Sequence, residues 1–129
     1  MAACGCAQNS PTDYKTITPA EVSQMMRENS KVIVIDVRTP GEYVGELGHI
    51  SGTVLHPLQE IDTWVSQYEN QKNQEIIMVC RSGNRSGVAA KYFSEKGFTN
   101  VYNMAGGMKA WNKDGLPIEK DTAELPEGN

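Results

Sequence analysis

Ile76-Ile77-Met78-Val79-Cys80-Arg81-Ser82-Gly83-Asn84-Arg85-Ser86 is an apolar run that closes on a cysteine and opens into a polar loop. The run is rich in β-branched residues and shows no polar alternation, the pattern of a strand buried on both faces. Beyond the loop, Val88, Ala89, Tyr92 and Phe93 recur at helical spacing, and Gly97 is placed to cap that helix. A buried strand feeding a helix through a glycine-bearing loop is half of a parallel crossover unit.

The same alternation extends in both directions. Val32-Ile33-Val34-Ile35 reads as a second buried strand. Before it, Thr18-Pro19-Ala20-Glu21 has the form of a capping box with proline at the first helical position, and Val22, Met25 and Met26 share one face. Thr39-Pro40-Gly41-Glu42 repeats the capping logic and predicts a short helical turn. Thr53-Val54-Leu55 predicts a short strand, and Ile61, Trp64, Val65 and Tyr68 predict an amphipathic helix. Asn100–Tyr102 and Gly107–Lys113 predict a last strand and a last short helix. Short strands alternating with helices imply an α/β fold, a parallel sheet covered on both faces.

The chain has 129 residues, of which 39% are hydrophobic and 22% charged, enough for one core and one domain. Its apolar runs fall far short of the ~20 residues of a membrane-spanning helix. A net charge of −4 repels polyanions, so neither nucleic acid nor an anionic membrane is expected as a partner. A small anion answers to local charge instead. Three cysteines make no disulfide framework. His49 and His56 lack partners at zinc-like spacing, so no metal site is expected.

In open parallel sheets, ligands gather at the carboxyl ends of the strands, against helix N-termini. Cys80 stands there. Loop amides, a helix end worth about +0.5 charge, and the cations Arg81 and Arg85 all favour thiolate, the nucleophilic form. Gly83 lets the loop curl its amides inward. A lone cysteine closing a buried strand is ordinarily an inert core residue. Two arginines, a glycine and a helix start within six residues favour the nucleophile instead. The chemistry suggested is attack on an anionic electrophile whose transferred atom stays on sulfur, with amides and arginine holding the developing charge.

Four motifs in series resemble a single-domain rhodanese: Asp36-Val37-Arg38, Glu42-Tyr43 with Gly48-His49-Ile50-Ser51-Gly52-Thr53, the loop Cys80–Arg85, and Gly106-Gly107 with Trp111. The resemblance implies a five-stranded parallel sheet with helices on both faces, and a persulfide mechanism. Cys80 would take the outer sulfur of thiosulfate or a similar small anionic donor and pass it to cyanide or another thiophilic acceptor. Arg85 would line the pocket, and the backbone of Arg81, Ser82, Gly83, Asn84 and Arg85 would cradle the persulfide. Asp36, Arg38 and Ser86 are expected to support the loop, Asp36 by accepting loop amides or pairing with Arg38. No cofactor is implied. Two departures, Thr53 in place of the family's usual alanine and four residues between Tyr43 and Gly48 where two are common, are expected at the pocket rim. They bear on substrate preference more than on the reaction.

Cysteine-dependent phosphatases and arsenate reductases share a Cys…Arg loop, but theirs holds five intervening residues and this one four. A sulfur-relay carrier with low thiosulfate turnover, exchanging sulfur with a partner protein, is the alternative within sulfur chemistry. The expected organisation is a flexible segment 1–13, a domain 14–119 and a flexible tail 120–129, acting as a monomer. A cytoplasmic location is the default. Ala2-Ala3-Cys4 resembles the end of a bacterial lipoprotein signal without its apolar segment, which makes a cell-envelope lipoprotein the alternative. Cys4 and Cys6 otherwise suggest no role.

Overall fold

A computed structural model describes residues 13–121; Cys4, Cys6 and residues 122–129 lie outside the described residues. Five strands form one all-parallel sheet: β1 (Lys15–Ile17), β2 (Ile33–Asp36), β3 (Val54–Leu55), β4 (Ile76–Val79) and β5 (Val101–Met104), in the order β1-β5-β4-β2-β3. The helices are α1 (Pro19–Glu28), α2 (Pro40–Tyr43), α3 (Ile61–Trp64), α4 (Asn84–Glu95) and α5 (Gly107–Lys113).

The pleat of β4 sorts its side chains into two cores. Ile76, Met78 and Cys80 face a cluster with Trp64, Tyr68, Ala89, Ala90 and Phe93, under α3 and α4. Ile77 and Val79 face Val22, Met104, Met108 and Trp111, under α1 and α5. All four residues of β4 are fully buried, as its unbroken apolar run requires. The register pairs Asp36 with Val79, so the ends of β2 and β4 lie side by side. That alignment brings Asp36 and Cys80 to one edge.

Both capping boxes form: Thr18 with Glu21 on α1, and Thr39 with Glu42 on α2. Elsewhere the structure departs from the sequence reading. The helix expected from Ile61 to Tyr68 is one α turn between two 3₁₀ segments, Leu58–Glu60 and Val65–Gln71. Asp62, Thr63, Ser66 and Asn70 are weak helix formers that compete for backbone hydrogen bonds, as when Ser66 donates to the Thr63 carbonyl at 3.1 Å. Trp64 and Tyr68 still point inward. Val88, expected inside, is 59% exposed, because the buried stripe of α4 runs through Ser86, Ala89, Ala90, Phe93 and Ser94. β5 ends at Met104, beyond the expected Tyr102.

Candidate active site

The loop after β4 folds around the sulfur of Cys80. Gly83, with φ +104°, occupies the left-handed region and turns its amide to donate to Sγ at 3.0 Å. Ser86, one turn into α4, donates its hydroxyl to Sγ at 3.2 Å. Cys80 is 1% exposed. Burial, the largest influence, pushes its thiol up, but the Ser86 hydroxyl and the amides of Ser86, Gly83 and Ser82 together outweigh it. The thiol is held below its ordinary range.

Ser86 serves a second acceptor. Its Oγ lies 2.5 Å from Oδ1 of Asn103 on β5, and Asn103 Nδ2 donates to the Gly83 carbonyl at 3.2 Å. Ser86 has one proton to give. An anionic sulfur accepts it more strongly than an amide oxygen does, so ionisation of Cys80 draws the hydroxyl toward sulfur.

Helix α5 closes the other side. The Met108 and Lys109 amides donate to the carbonyls of Cys80 (2.8 Å) and Arg81 (3.0 Å). Gly107 makes this approach feasible: a Cβ there would run into the Arg81 carbonyl carbon and lie 2.5 Å from the Cys80 oxygen.

At the end of β2, Asp36 and Arg38 form a buried pair. Asp36 Oδ1 accepts from Arg38 Nε (2.9 Å) and the Arg38 amide (3.1 Å), and Oδ2 accepts from Nη2 at 2.8 Å. Nη2 also donates to the Gly48 carbonyl at 2.7 Å, tying the β2 edge to the following loop. At the rim, Arg85 meets Glu42 in a bidentate pair, Nη1–Oε1 and Nη2–Oε2 both at 2.9 Å. This pairing, offset in part by burial, holds the Glu42 carboxyl down at about 2.

Of the proposed loop residues, Ser82, Gly83 and Ser86 bond to the sulfur, and Arg85 bonds to Glu42. Arg81, Ser82 and Asn84 have exposed side chains, whereas Ser86 is buried. Thr53 does not stand at the surface: it is 7% exposed, and its hydroxyl lies 3.0 Å from the Tyr43 hydroxyl and donates to the Ile50 carbonyl. His49 is fully buried, stacked on Tyr43 with centroids 3.7 Å apart. Sequence reasoning missed Asn103, whose signal is an amide inside a buried strand. It also missed the second duty of Glu42, which the capping box explains only in part.

The family model of the rhodanese-like domain matches residues 18–114. The chain belongs to the rhodanese-like family. This rhodanese-like domain is 34% identical over 102 residues to a sulfurtransferase of Allochromatium vinosum, covering 79% of this chain and 92% of that one. It is 32% identical over 111 residues to the thiosulfate sulfurtransferase GlpE of Pseudomonas paraeruginosa, covering 86% and 94%. It spans 56% of the length of another relative, slr1261 of Synechocystis. The crystal structure of a rhodanese-like domain protein from Staphylococcus aureus superposes with a TM-score of 0.69 at 32% identity, covering 81% of this chain and 98% of that one. These similarities support a rhodanese-type sulfurtransferase. Among the described residues, no helix is long and apolar enough to cross a membrane.

Proposed function

We propose that the domain within residues 14–119 transfers sulfane sulfur through a persulfide on Cys80. The observation that carries this reading is a buried sulfur facing the Gly83 amide and the Ser86 hydroxyl, with its thiol held below the ordinary range. With thiosulfate as donor, the Cys80 thiolate attacks the outer sulfur. An S–S bond forms to Cys80, the bond to the sulfite sulfur breaks, and sulfite leaves with its electron pair. The terminal sulfur then carries the negative charge, and the backbone amides from Arg81 to Arg85 would cradle it. Cyanide or a thiolate attacks that sulfur and returns Cys80 to thiolate. Ser86 holds the loop in shape, Asp36 and Arg38 brace the neighbouring strand edge through Gly48, and Arg85, with Arg81 and Asn84, faces the entering donor.

Mass spectrometry after exposure to thiosulfate tests the reading. One sulfur atom should be gained, located on Cys80 by digestion and removed by cyanide, and Cys80→Ser should gain none. Absence of the adduct with thiosulfate and with a hydropersulfide would overturn the assignment. A relay carrier with slow thiosulfate turnover is the second reading, favoured by the carboxylate that engages Arg85 at the rim.

A further inference from the structure

We infer that Glu42 is a specificity-determining residue that turns this site away from thiosulfate and toward hydropersulfides, R–S–SH. The inference rests on the persulfide reading above and concerns only which donor loads Cys80.

Arg85 is the guanidinium within the first turn of α4, and its two terminal nitrogens each meet a Glu42 oxygen at 2.9 Å. The carboxylate cancels the positive charge and takes the fork geometry that would otherwise grip two oxygens of an oxyanion. The two donors place unequal demands on that cation. Thiosulfate arrives as a dianion and releases sulfite, so two negative charges must be held as the bond breaks. A hydropersulfide reacts in its protonated form, which carries no charge at the sulfur attacked: the Cys80 thiolate attacks the terminal sulfur, the donor's S–S bond breaks, and R–S⁻ leaves with its electron pair. Cys80–S–SH remains, with one charge on the leaving group. A rim whose arginine is already paired meets the second demand far better than the first.

Glu42 is also anchored where it stands. Its Oε1 accepts from the Thr39 amide at 3.1 Å, within the capping box of α2, so the residue does not swing away to free Arg85. This double bonding supplies the test. Glutamine at position 42 keeps an amide oxygen for the capping box, as this motif allows. Its NH₂ group then faces Arg85 Nη2, donor against donor, and the fork opens.

The experiment measures kcat/KM for thiosulfate and for the hydropersulfide of 2-mercaptoethanol. A short uncharged peptide carrying a cysteine hydropersulfide forms a third arm. In the parent chain both hydropersulfides should exceed thiosulfate, and the better of the two marks a small-molecule or a protein-borne source. Glu42→Gln should raise the thiosulfate-to-hydropersulfide ratio roughly tenfold, the scale of one regained charge-assisted hydrogen bond. The same substitution in an Arg85→Ala background should raise the ratio much less. Thiosulfate as the best donor of the parent chain would overturn the inference without requiring any variant to fold. So would an unchanged ratio in Glu42→Gln, or an equal gain in both backgrounds, which would reduce Glu42 to a distant charge. If Cys80 is loaded by these donors while any of those results holds, only this inference fails. If no donor loads Cys80, the sulfur-transfer reading itself fails.

Discussion

Two arginine–carboxylate pairs flank the sulfur, alike in geometry and opposite in setting. Arg38 and Asp36 are 1% and 0% exposed, and Arg38 spends a further donor on the Gly48 carbonyl. Arg85 and Glu42 are 37% and 28% exposed. A charge pair sealed from water cannot be opened without stranding an ion, so the inner pair is scaffold. The outer pair is screened by solvent and can be altered at small cost to the fold, so it is the one suited to reading a substrate. The same two functional groups become structure or recognition according to their solvent.

The largest effect should come from breaking the inner pair. Arg38→Ala leaves Asp36 buried without its cation and frees the Gly48 carbonyl, and the expected loss is about 3–5 kcal/mol in folding stability. Urea unfolding followed by circular dichroism measures it. A loss no larger than that of Arg85→Ala would mean that burial does not distinguish the two pairs.

The second effect sharpens the contrast between neutral hydrogen bonds and charges at the sulfur. Cys80 is held down chiefly by the Ser86 hydroxyl and loop amides, against burial. Ser86→Ala should therefore raise the midpoint of Cys80 alkylation against pH, with Cys80→Ser as blank. Arg85→Ala should move that midpoint less, since Glu42 already balances the guanidinium. The sequence reading named the helix end, the loop amides and the two arginines together as favouring thiolate, and an Arg85→Ala midpoint shift larger than that of Ser86→Ala would put the charge first among them.

Arg85→Ala has its own consequence for turnover. It should cost at most about 1 kcal/mol in stability, as a solvent-screened pair does. It also leaves the Glu42 carboxylate alone at the entrance, so thiosulfate kcat/KM should fall severalfold. Arg85→Lys should recover part of the loss, because an ammonium lacks the planar fork. Steady-state kinetics check both, and unchanged thiosulfate kinetics in Arg85→Ala would show that the rim pair is not part of the entrance.

What could be read beforehand follows a physical line. The buried strands β2 and β4 announce themselves because burial on both faces leaves no room for polar residues. The capping boxes on α1 and α2 are legible because they are local, contained within four residues. Edge strand β1 carries little signal: Lys15-Thr16-Ile17 is three residues with a single half-buried side chain, and its neighbour β5 lies at the far end of the chain. The site divided in the same way. Cys80, Gly83 and the arginines share one loop, whereas the partnerships Ser86–Asn103, Arg85–Glu42 and Gly107–Arg81 join segments that only the folded sheet brings together. Gly106-Gly107 read as a tight turn. The reason for Gly107 is steric, and the atoms it must avoid are some 25 residues away.

The smallest effect belongs to the outer pair alone. Its folded-state carboxyl is depressed from an ordinary 4.5 to about 2, with the Arg85 hydrogen bonds as the leading cause. A depressed acid contributes stability that is fully present above the ordinary value and is lost as pH falls through the folded one. Comparison of parent and Glu42→Gln by unfolding at a series of pH values should therefore show a small difference at neutral pH, at most about 1 kcal/mol because both groups are partly solvated. The difference should shrink below pH 4.5 and vanish near pH 2. Added salt should reduce it as well, since screening reaches a pair at the rim and not the one beneath it. A difference that survives to pH 2 would assign Glu42's contribution to its α2 cap, which glutamine retains imperfectly, and would remove the rim pair from the stability of the fold.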